Sequence, residues 1–579
     1  MIEIEVNNKI IEAKKGELLL TTLKRNGIHV PTLCYMKDLF PSGACRMCAV
    51  EVEGMPHLVP ACSYPVNEWM RIKTHSPRVV TARKTLVELL LSNHPDDCLY
   101  CIRNGNCELQ KLAEELNVHE RRFFGKRQRS KLDNTSPSLV HNPEKCILCG
   151  RCVRYCDEIL KVSAIDFINR GNDATIGAEF NKGLNLSTCI DCGQCIMVCP
   201  TGALHEKSSQ NKVRQAIHDE SKHVVAIFDS AMTVSLAEEF NIKPGKNIEQ
   251  LITAALRIAG FNKIFDTGFG ADLLLREMSE EWLNRIENNG FLPLISSHCP
   301  AWMKYAENNY PSLQKYFTTV NPPQELLGSI TKNYYAEKAG ISKENIFVVS
   351  LTSCTARKQE RQKKEYNPHG IAHVDAVMTT REVADFIKLH GIDLNQIEEE
   401  LTDLPFGMCS TAGKMHTAAA GLTEGLIRTA FQQVNNRELR PPRITKLRNN
   451  KARKEYGFKA NGKEHTMVAV NGLAEAIKIL DEVRKGKKQI SFLEILACKQ
   501  GCINGGGQPL RQPDSHINLR RKALYNIDNQ GSIKTAHKNP EIQEIYKRLL
   551  DTPGSVKSRE LLHNKKLLKE GANHESSRS

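Results

Sequence analysis

No apolar run in this 579-residue chain approaches the roughly 20 residues that a membrane-spanning helix requires, so no membrane span is expected. The opening Met1-Ile-Glu-Ile-Glu-Val6 has neither a basic n-region nor an apolar h-region, so no secretory signal is read there and a cytoplasmic protein is expected. No helix-turn-helix, finger or RNP pattern accompanies the formal charge of +14. That disfavours nucleic acid and favours an acidic protein as partner. The basic residues gather at Arg121, Arg122, Lys126, Arg127, Arg129 and Lys131 and again between Arg437 and Lys454, runs that read as solvated faces. No dinucleotide fingerprint or P-loop is present, so NAD(P)H chemistry would need another chain. From His223 onward there is no CxxC pair, and any metal site in that half must draw ligands from separate loops.

What the chain does have is cysteine, 20 residues of it, in a composition (40% apolar, 25% charged) ordinary for a globular protein of several domains. In a reducing compartment such thiols serve as metal ligands before disulfides.

Residues 1–80 alternate apolar side chains at Ile2, Ile4 and Val6, turn at Asn7-Asn8, and continue into a helical stretch from Glu17 to Asn26, a small α+β module. Its Cys34, Cys45, Cys48 and Cys62 can hold a [2Fe–2S] cluster, with zinc as the competing occupant. The spacing resembles the plant-type, β-grasp ferredoxin module in the variant found in complex I and hydrogenase subunits. Residues 81–125 form a second module: a helix over Thr81–Ser92 runs into His94-x3-Cys98-x2-Cys101-x5-Cys107, one imidazole and three thiolates for a [4Fe–4S] cube or for zinc. After a polar linker at Asp133–Ser138 comes an internal repeat within residues 138–208. It reads Cys146-x2-Cys149-x2-Cys152-x3-Cys156, then Cys189-x2-Cys192-x2-Cys195-x3-Cys199-Pro200. This is the two-[4Fe–4S] bacterial ferredoxin signature, in which Cys156 joins the second cube and Cys199 the first. Four clusters in series make a wire, and a wire implies a redox site at its end.

Residues 220–556 read as an α/β catalytic domain. Strand-like runs at Val224–Phe228, Lys263–Phe265, Leu292–Ile295 and Asn345–Ser350 alternate with helices. Its cysteines are Cys299, Cys354, Cys409, Cys498 and Cys502, with Gly505, Gly506 and Gly507 after the last. Three glycines in a row suit backbone approaching something bulky. The stretches Ser296-Ser-His-Cys-Pro-Ala-Trp302, Leu351-Thr-Ser-Cys-Thr-Ala-Arg-Lys-Gln-Glu360 and Leu493-Glu-Ile-Leu-Ala-Cys-Lys-Gln-Gly-Cys-Ile-Asn-Gly-Gly-Gly-Gln-Pro509 resemble the three signatures of [FeFe]-hydrogenases. Domain order resembles the long clostridial-type, ferredoxin-linked form.

The resemblance implies an H-cluster: a [4Fe–4S] cube on Cys299, Cys354, Cys498 and Cys502, with Cys502 bridging to a di-iron unit that carries CO, CN⁻ and dithiolate ligands. It implies H2 and protons as substrates, ferredoxin or a similar acidic carrier as electron partner, and maturation proteins that insert the di-iron unit. Further subunits are compatible with it. It assigns cofactor contacts to Ser230, Thr352, Ser353, Arg357, Leu496, Gly505 and Gly506, and catalytic roles to His298, Glu281, Arg285, Arg357 and Glu360. Cys409 is left as a small buried hydrophobe.

The sequence also departs from that family. His298 stands at the usual proton-relay cysteine, Met278 at a relay glutamate, Thr352-Ser353 at Met-Pro and Arg357 at a cyanide-binding lysine. Asp229-Ser230 replaces an Ala-Pro pair, and Leu496 replaces a methionine. An altered H-cluster pocket is expected, with a low-turnover redox or H2 sensor, or a subunit of an NAD(P)-linked assembly, as the alternative functions. Residues 557–579 read as a basic tail.

Overall fold

The computed structural model describes residues 1–568 except 125–130, 440–444, 461, 487–488 and 511–512. Lys126, Arg127 and Arg129 of the first basic run, part of the second run, and the end of the expected tail lie outside the described residues. The chain packs as two compact units, one of Met1–Ile159, Ser163–Ser187 and Val198–His205, the other of Leu160–Val162, Thr188–Met197 and Glu206–Ser579. Among the described residues no helix is long and apolar enough to cross a membrane.

The first unit opens with a five-stranded sheet in the order Lys9–Ala13, Ile2–Val6, Arg71–Lys73, Ala49–Val52, Val59–Pro60. Asn7 and Asn8 both take positive φ (50° and 64°), which the tight hairpin between the first two strands requires and asparagine tolerates. Ile4, Val6, Val50 and Ile72 point inward against Leu19, Leu20 and Leu23 of the helix Leu19–Arg25. The next helix spans Pro77–Asn93, four residues longer at its start than the apolar pattern indicates. Ser76 caps it by accepting from Val79 N, and Pro77 occupies the first turn, where its missing N–H costs nothing.

The second unit contains a parallel sheet in the order Lys263–Asp266, His223–Phe228, Ile346–Thr352, Ala376–Thr379. Alternate residues serve two cores. Val225, Ile227, Phe265, Val348 and Val377 face one, while Val224, Ala226, Phe228, Ile264, Val349 and Leu351 face the other. Burial on both faces explains why these strands are continuous apolar runs. A second sheet runs Leu294–Ile295, Phe492–Leu496, Lys463–Asn471, Arg453–Ala460, parallel except at its last pair. The stretch read as a tail begins inside packed structure: Val556–Leu562 is a helix and His563 is buried. Its lysines had suggested a solvated segment, but the apolar positions between them bury a helical face.

Candidate functional site

Parallel strands deliver their C-terminal ends to one place, the usual location for chemistry in an α/β sheet. Asp229 follows the strand His223–Phe228, Cys354 lies two residues past Ile346–Thr352, and Cys498 two past Phe492–Leu496. Cys299 follows Leu294–Ile295 by four residues and caps the helix Pro300–Asn309. These ends enclose a chamber lined by Cys299, Cys354, Cys498 and Cys502, together with His298, Arg357, Thr352, Ser353, Leu496 and Gly505. Asp229, His416, Gly501 and Cys192 complete the wall.

Burial pushes all four thiols up, Cys354 to about 12 and Cys498 and Cys502 well above the usual thiol value, with their mutual proximity adding to the rise. Among the described residues no three such side chains close on a single point as they would around one ion. Four thiols lining a space suit a polynuclear cluster better. Two N–H···S contacts of the kind that stabilise cluster thiolates are present, Ala497 N to Cys299 Sγ (3.5 Å) and Gln194 Nε2 to Cys498 Sγ (3.4 Å). His298 is 2% exposed and neither ring nitrogen has a hydrogen-bond partner. Such an orphaned buried polar group is costly unless a bound group satisfies it. The residues present therefore fit an iron–sulfur cofactor in the chamber.

Burial, with His416 and Arg357 nearby, holds the His298 imidazole neutral, its pKa well below the usual value. The near-neutral titration that an isolated histidine would show is thus not what this one has. Arg357 donates to His298 O (2.9 Å) and pairs with Glu360. Glu360 and the Glu281–Arg285 pair are set back from the wall. Glu281 accepts from Arg285 Nη2 (2.6 Å), Thr318 Oγ1 (2.6 Å) and Thr319 N (3.1 Å). Met278 is buried in the apolar core.

Asp229, Thr352 and Ser353 form one knot: Asp229 Oδ2 accepts from Thr352 Oγ1 (2.7 Å), Ser353 N (3.0 Å) and Ser353 Oγ (3.2 Å). The hydroxyls expected to polarise the pocket are turned onto this carboxylate. Asp229 Oδ1 meanwhile caps the next helix through Met232 N (2.8 Å). Ser230, assigned to the cofactor from the sequence, instead bonds Lys414 O and Thr417 Oγ1, because its position inside that helix turns it away.

The glycine run is also corrected. A Cβ on Gly506 would lie 2.1 Å from Cys192 O, and on Gly505 and Gly507 2.4 and 2.9 Å from Ser353 O. The close approach is backbone to backbone, and only Gly505 lines the chamber. Gly506 is pinned from the other side, where Arg381 Nη2 donates to its carbonyl (2.8 Å). Cys409 packs at the rim of the core with its thiol raised by burial, away from the chamber.

His416 was not legible in the sequence. It sits in the short helical turn after Thr411–Lys414, its Nδ1 bonded to Gly413 O (2.7 Å), and no local motif marks it. Cys192, expected only in a ferredoxin cube, also lines the chamber. Its turn is held by Thr355 Oγ1 to Asp191 O (2.7 Å), Lys304 to Asp191 (2.7 Å) and Gln194 Nε2 to Asn504 O (2.8 Å).

In the first unit the thiols of Cys34 and Cys45, and of Cys48 and Cys62, hydrogen-bond in pairs. These bonds draw Cys34 down to about 5 and Cys62 to about 7 and push their partners up. His94 ends its helix as the C-cap and is buried. Cys98 is raised first by burial, then by Cys107 and Cys101, which lie beside it. Burial raises Cys146, Cys149 and Cys152, and Cys199 adds to each, so Cys199 stands with the first run of the repeat. Cys156 accepts from Ala164 N (3.4 Å). In the second unit Cys189 accepts from Asp191 N (3.4 Å), and Cys195 lies one residue into the helix Gln194–Val198.

Fold and chamber together define an iron–sulfur oxidoreductase with a thiol-lined chamber beyond its strand ends. Comparison with known proteins makes this specific. Residues 222–506 match the family model "Iron only hydrogenase large subunit, C-terminal domain", and 514–565 match "Iron hydrogenase small subunit". Residues 1–77, 83–122 and 136–205 match a 2Fe-2S cluster-binding domain, an NADH-ubiquinone oxidoreductase-G iron-sulfur region and an NADH-quinone oxidoreductase subunit 3 ferredoxin-like domain. The chain is 35% identical over 575 residues to NADP-reducing hydrogenase subunit HndD of Solidesulfovibrio fructosivorans, covering 97% of this chain and 98% of that one. It is 34% identical over 572 residues to Iron hydrogenase 1 of Clostridium pasteurianum, covering 98% and 100%. A variant of the apo [FeFe]-hydrogenase HydA1 from Chlamydomonas reinhardtii superposes with a TM-score of 0.56 at 29% identity, over 62% of this chain and 98% of that one. The protein belongs to the [FeFe]-hydrogenases, oxidoreductases acting on H2.

Proposed function

We propose that this chain interconverts H2 with two protons and two electrons on an H-cluster held by Cys299, Cys354, Cys498 and Cys502. One [2Fe–2S] and three accessory [4Fe–4S] clusters would relay the electrons. The observation that carries this is the meeting of four thiols, delivered beyond three strand ends, with the unpartnered His298 in one buried chamber. When bound, the cofactor supplies the making and breaking of the H–H bond. The chain's own residues do the rest. Arg357 presents a fixed guanidinium to the chamber while braced by Glu360 and His298 O, a geometry suited to holding an anionic ligand such as cyanide. The knot around Asp229 fixes the Ser353–Cys354 backbone. His298, kept neutral, moves a proton between its two ring nitrogens and serves as the terminal relay.

Infrared spectra of protein matured with the di-iron insertion proteins should show CO and CN⁻ bands. Their absence would leave an electron-transfer protein. For the relay, H2 oxidation and proton reduction are compared for wild type, His298→Ala and His298→Cys between about pH 6 and 9. A fully active His298→Ala removes His298 from the proton path.

The electron partner in this reading is ferredoxin or a similar acidic carrier in the cytoplasm, consistent with the charge of +14. A second reading, catalytic subunit of an NADP-linked assembly, is favoured by the full-length likeness to a protein named as an NADP-reducing hydrogenase subunit. Co-purification from the native cell separates the two: a stable complex reducing NADP⁺ from H2 supports the second, and a lone chain reducing ferredoxin the first.

A further inference from the structure

The chamber needs a proton path to solvent, and the side chains behind Arg357 stand in series toward an open cavity. Arg357 is paired with Glu360, itself 3% exposed. Glu360 lines a second small cavity with Ser297, Pro300, Lys363 and Tyr366, and Pro300 also lines the chamber, so the two spaces share a wall. Gln324 Nε2 donates at once to Glu360 Oε2 (2.8 Å) and to Glu325 Oε1 (2.9 Å), holding two buried carboxyls at one amide. Glu325 is completely buried, and its other oxygen has no hydrogen-bond partner. That oxygen lies 3.6 Å from Nδ1 of His373, which likewise has none. His373 in turn lines an open cavity of about 390 Å³.

A structural role explains these features poorly. A buried carboxyl oxygen and a buried imidazole nitrogen left unbonded opposite each other cost stability that a purely structural pair would recover by closing the gap. Two acids set at one amide lie close enough for the Glu325 carboxyl to help raise that of Glu360. Burial, with Arg357 opposing it and Glu325 adding to it, raises the Glu360 carboxyl to about 7, where it both binds and releases protons near neutrality. The charged and titratable groups around the pair include Arg357, Lys363, Arg361, Tyr366 and His373, with Glu365 in the same cavity and Cys299 on the chamber side.

We propose that Glu360, Glu325 and His373 form the proton route between the cofactor chamber and solvent, with Gln324 as the residue that positions the two carboxyls. The route rests on the hydrogenase reading above and goes beyond it. In the direction of H2 oxidation water in the small cavity carries the proton, and an O–H bond of hydronium there breaks as one forms on the Glu360 carboxylate. The Glu360 O–H bond breaks as one forms on Glu325. Glu325 then passes the proton to Nδ1 of His373, and the imidazolium releases its Nε2 proton to water in the open cavity. One proton moves, no electron does, and Arg357 keeps its charge throughout.

The test uses matured full-length protein carrying Glu325→Gln, Glu360→Gln or His373→Leu, with Glu344→Gln on an exposed loop as control. Glu325→Gln and Glu360→Gln should lower kcat for H2 oxidation by about 10²-fold, the usual effect of losing a proton-transfer group. CO and CN⁻ bands should stay at wild-type intensity. A second readout needs no cofactor. Infrared difference spectra of the unloaded protein titrated through neutral pH should show a protonated-carboxyl band that loses one carboxyl's intensity in Glu360→Gln, the remainder belonging to Glu494. Loaded Glu325→Gln with wild-type kcat and pH profile, or unloaded Glu360→Gln whose carboxyl titration near neutrality matches that of wild type, overturns the route and leaves the hydrogenase reading intact. Wild type lacking CO and CN⁻ bands and turnover overturns both.

Discussion

Gln194 gives the sharpest handle on how the chain tunes its terminal cluster. Its amide donates to Cys498 Sγ at 3.4 Å and to Asn504 O at 2.8 Å, and the side chain is 2% exposed. Substituting leucine, close in volume, removes both bonds with little change in packing. A hydrogen bond to a charged acceptor contributes about 1.5–3 kcal/mol. Reduction adds negative charge to the cluster, so the N–H···S bond is stronger in the reduced state. If roughly half of the lower figure is specific to that state, the difference is just under 1 kcal/mol, which for one electron is about 30–40 mV. Gln194→Leu should therefore lower the midpoint potential of the Cys498-bound cluster by about that amount. Losing the bond to Asn504 O should cost a further ~1 kcal/mol of stability, a melting shift of about 2–4 °C. Redox titration followed by infrared or electron paramagnetic resonance spectroscopy reads the first, and calorimetry reads the second. An unchanged or raised potential in a variant with full iron content would refute the argument.

Gly506→Ala should be far more damaging, since its Cβ would meet Cys192 O at 2.1 Å and Gly193 Cα at 2.6 Å, both backbone that cannot yield cheaply. A loss of about 3 kcal/mol or more is expected, with iron content falling alongside the melting temperature. Glu494 sets a pH dependence. It is fully buried with one oxygen unpaired, and burial raises its carboxyl to about 7. Between the ordinary value of 4.5 and 7 the folded protein keeps a proton that the unfolded chain releases, so the stabilisation is full below 4.5 and lost as pH rises through 7. Glu494→Gln should be neutral near pH 4 and raise the melting temperature near pH 8, by at most about 3.4 kcal/mol of stability. A melting temperature unchanged at both pH values would show that Glu494 is not held protonated.

The thiols and the strands leading to them could be read from the sequence because both are local signals. The three short cysteine signatures, apolar runs such as Val224–Phe228, and the His-Cys and ferredoxin spacings each occupy a few consecutive residues. What could not be read depends on which way a side chain turns after folding. Thr352 and Ser353 looked like pocket donors until Asp229 was seen to absorb them. The triple glycine signalled close approach correctly, but the object approached is the backbone of Cys192 and Ser353. His416 and the Gln324–Glu325–His373 cluster come from separate elements with no shared motif, and only tertiary packing brings their members together. The tail was misjudged because its lysines outweighed a short apolar periodicity over Val556–Leu562.

The turn of residues 188–197 has a practical consequence. It packs with the second unit, and it supplies Cys192 to the chamber wall and Gln194 to Cys498. A minimal catalytic fragment cut at the apparent module boundary near residue 208 would discard part of its own reaction vessel. For anyone transplanting this catalytic half onto another electron source, a cut placed before Thr188 keeps Cys192 and Gln194 with the chamber they serve.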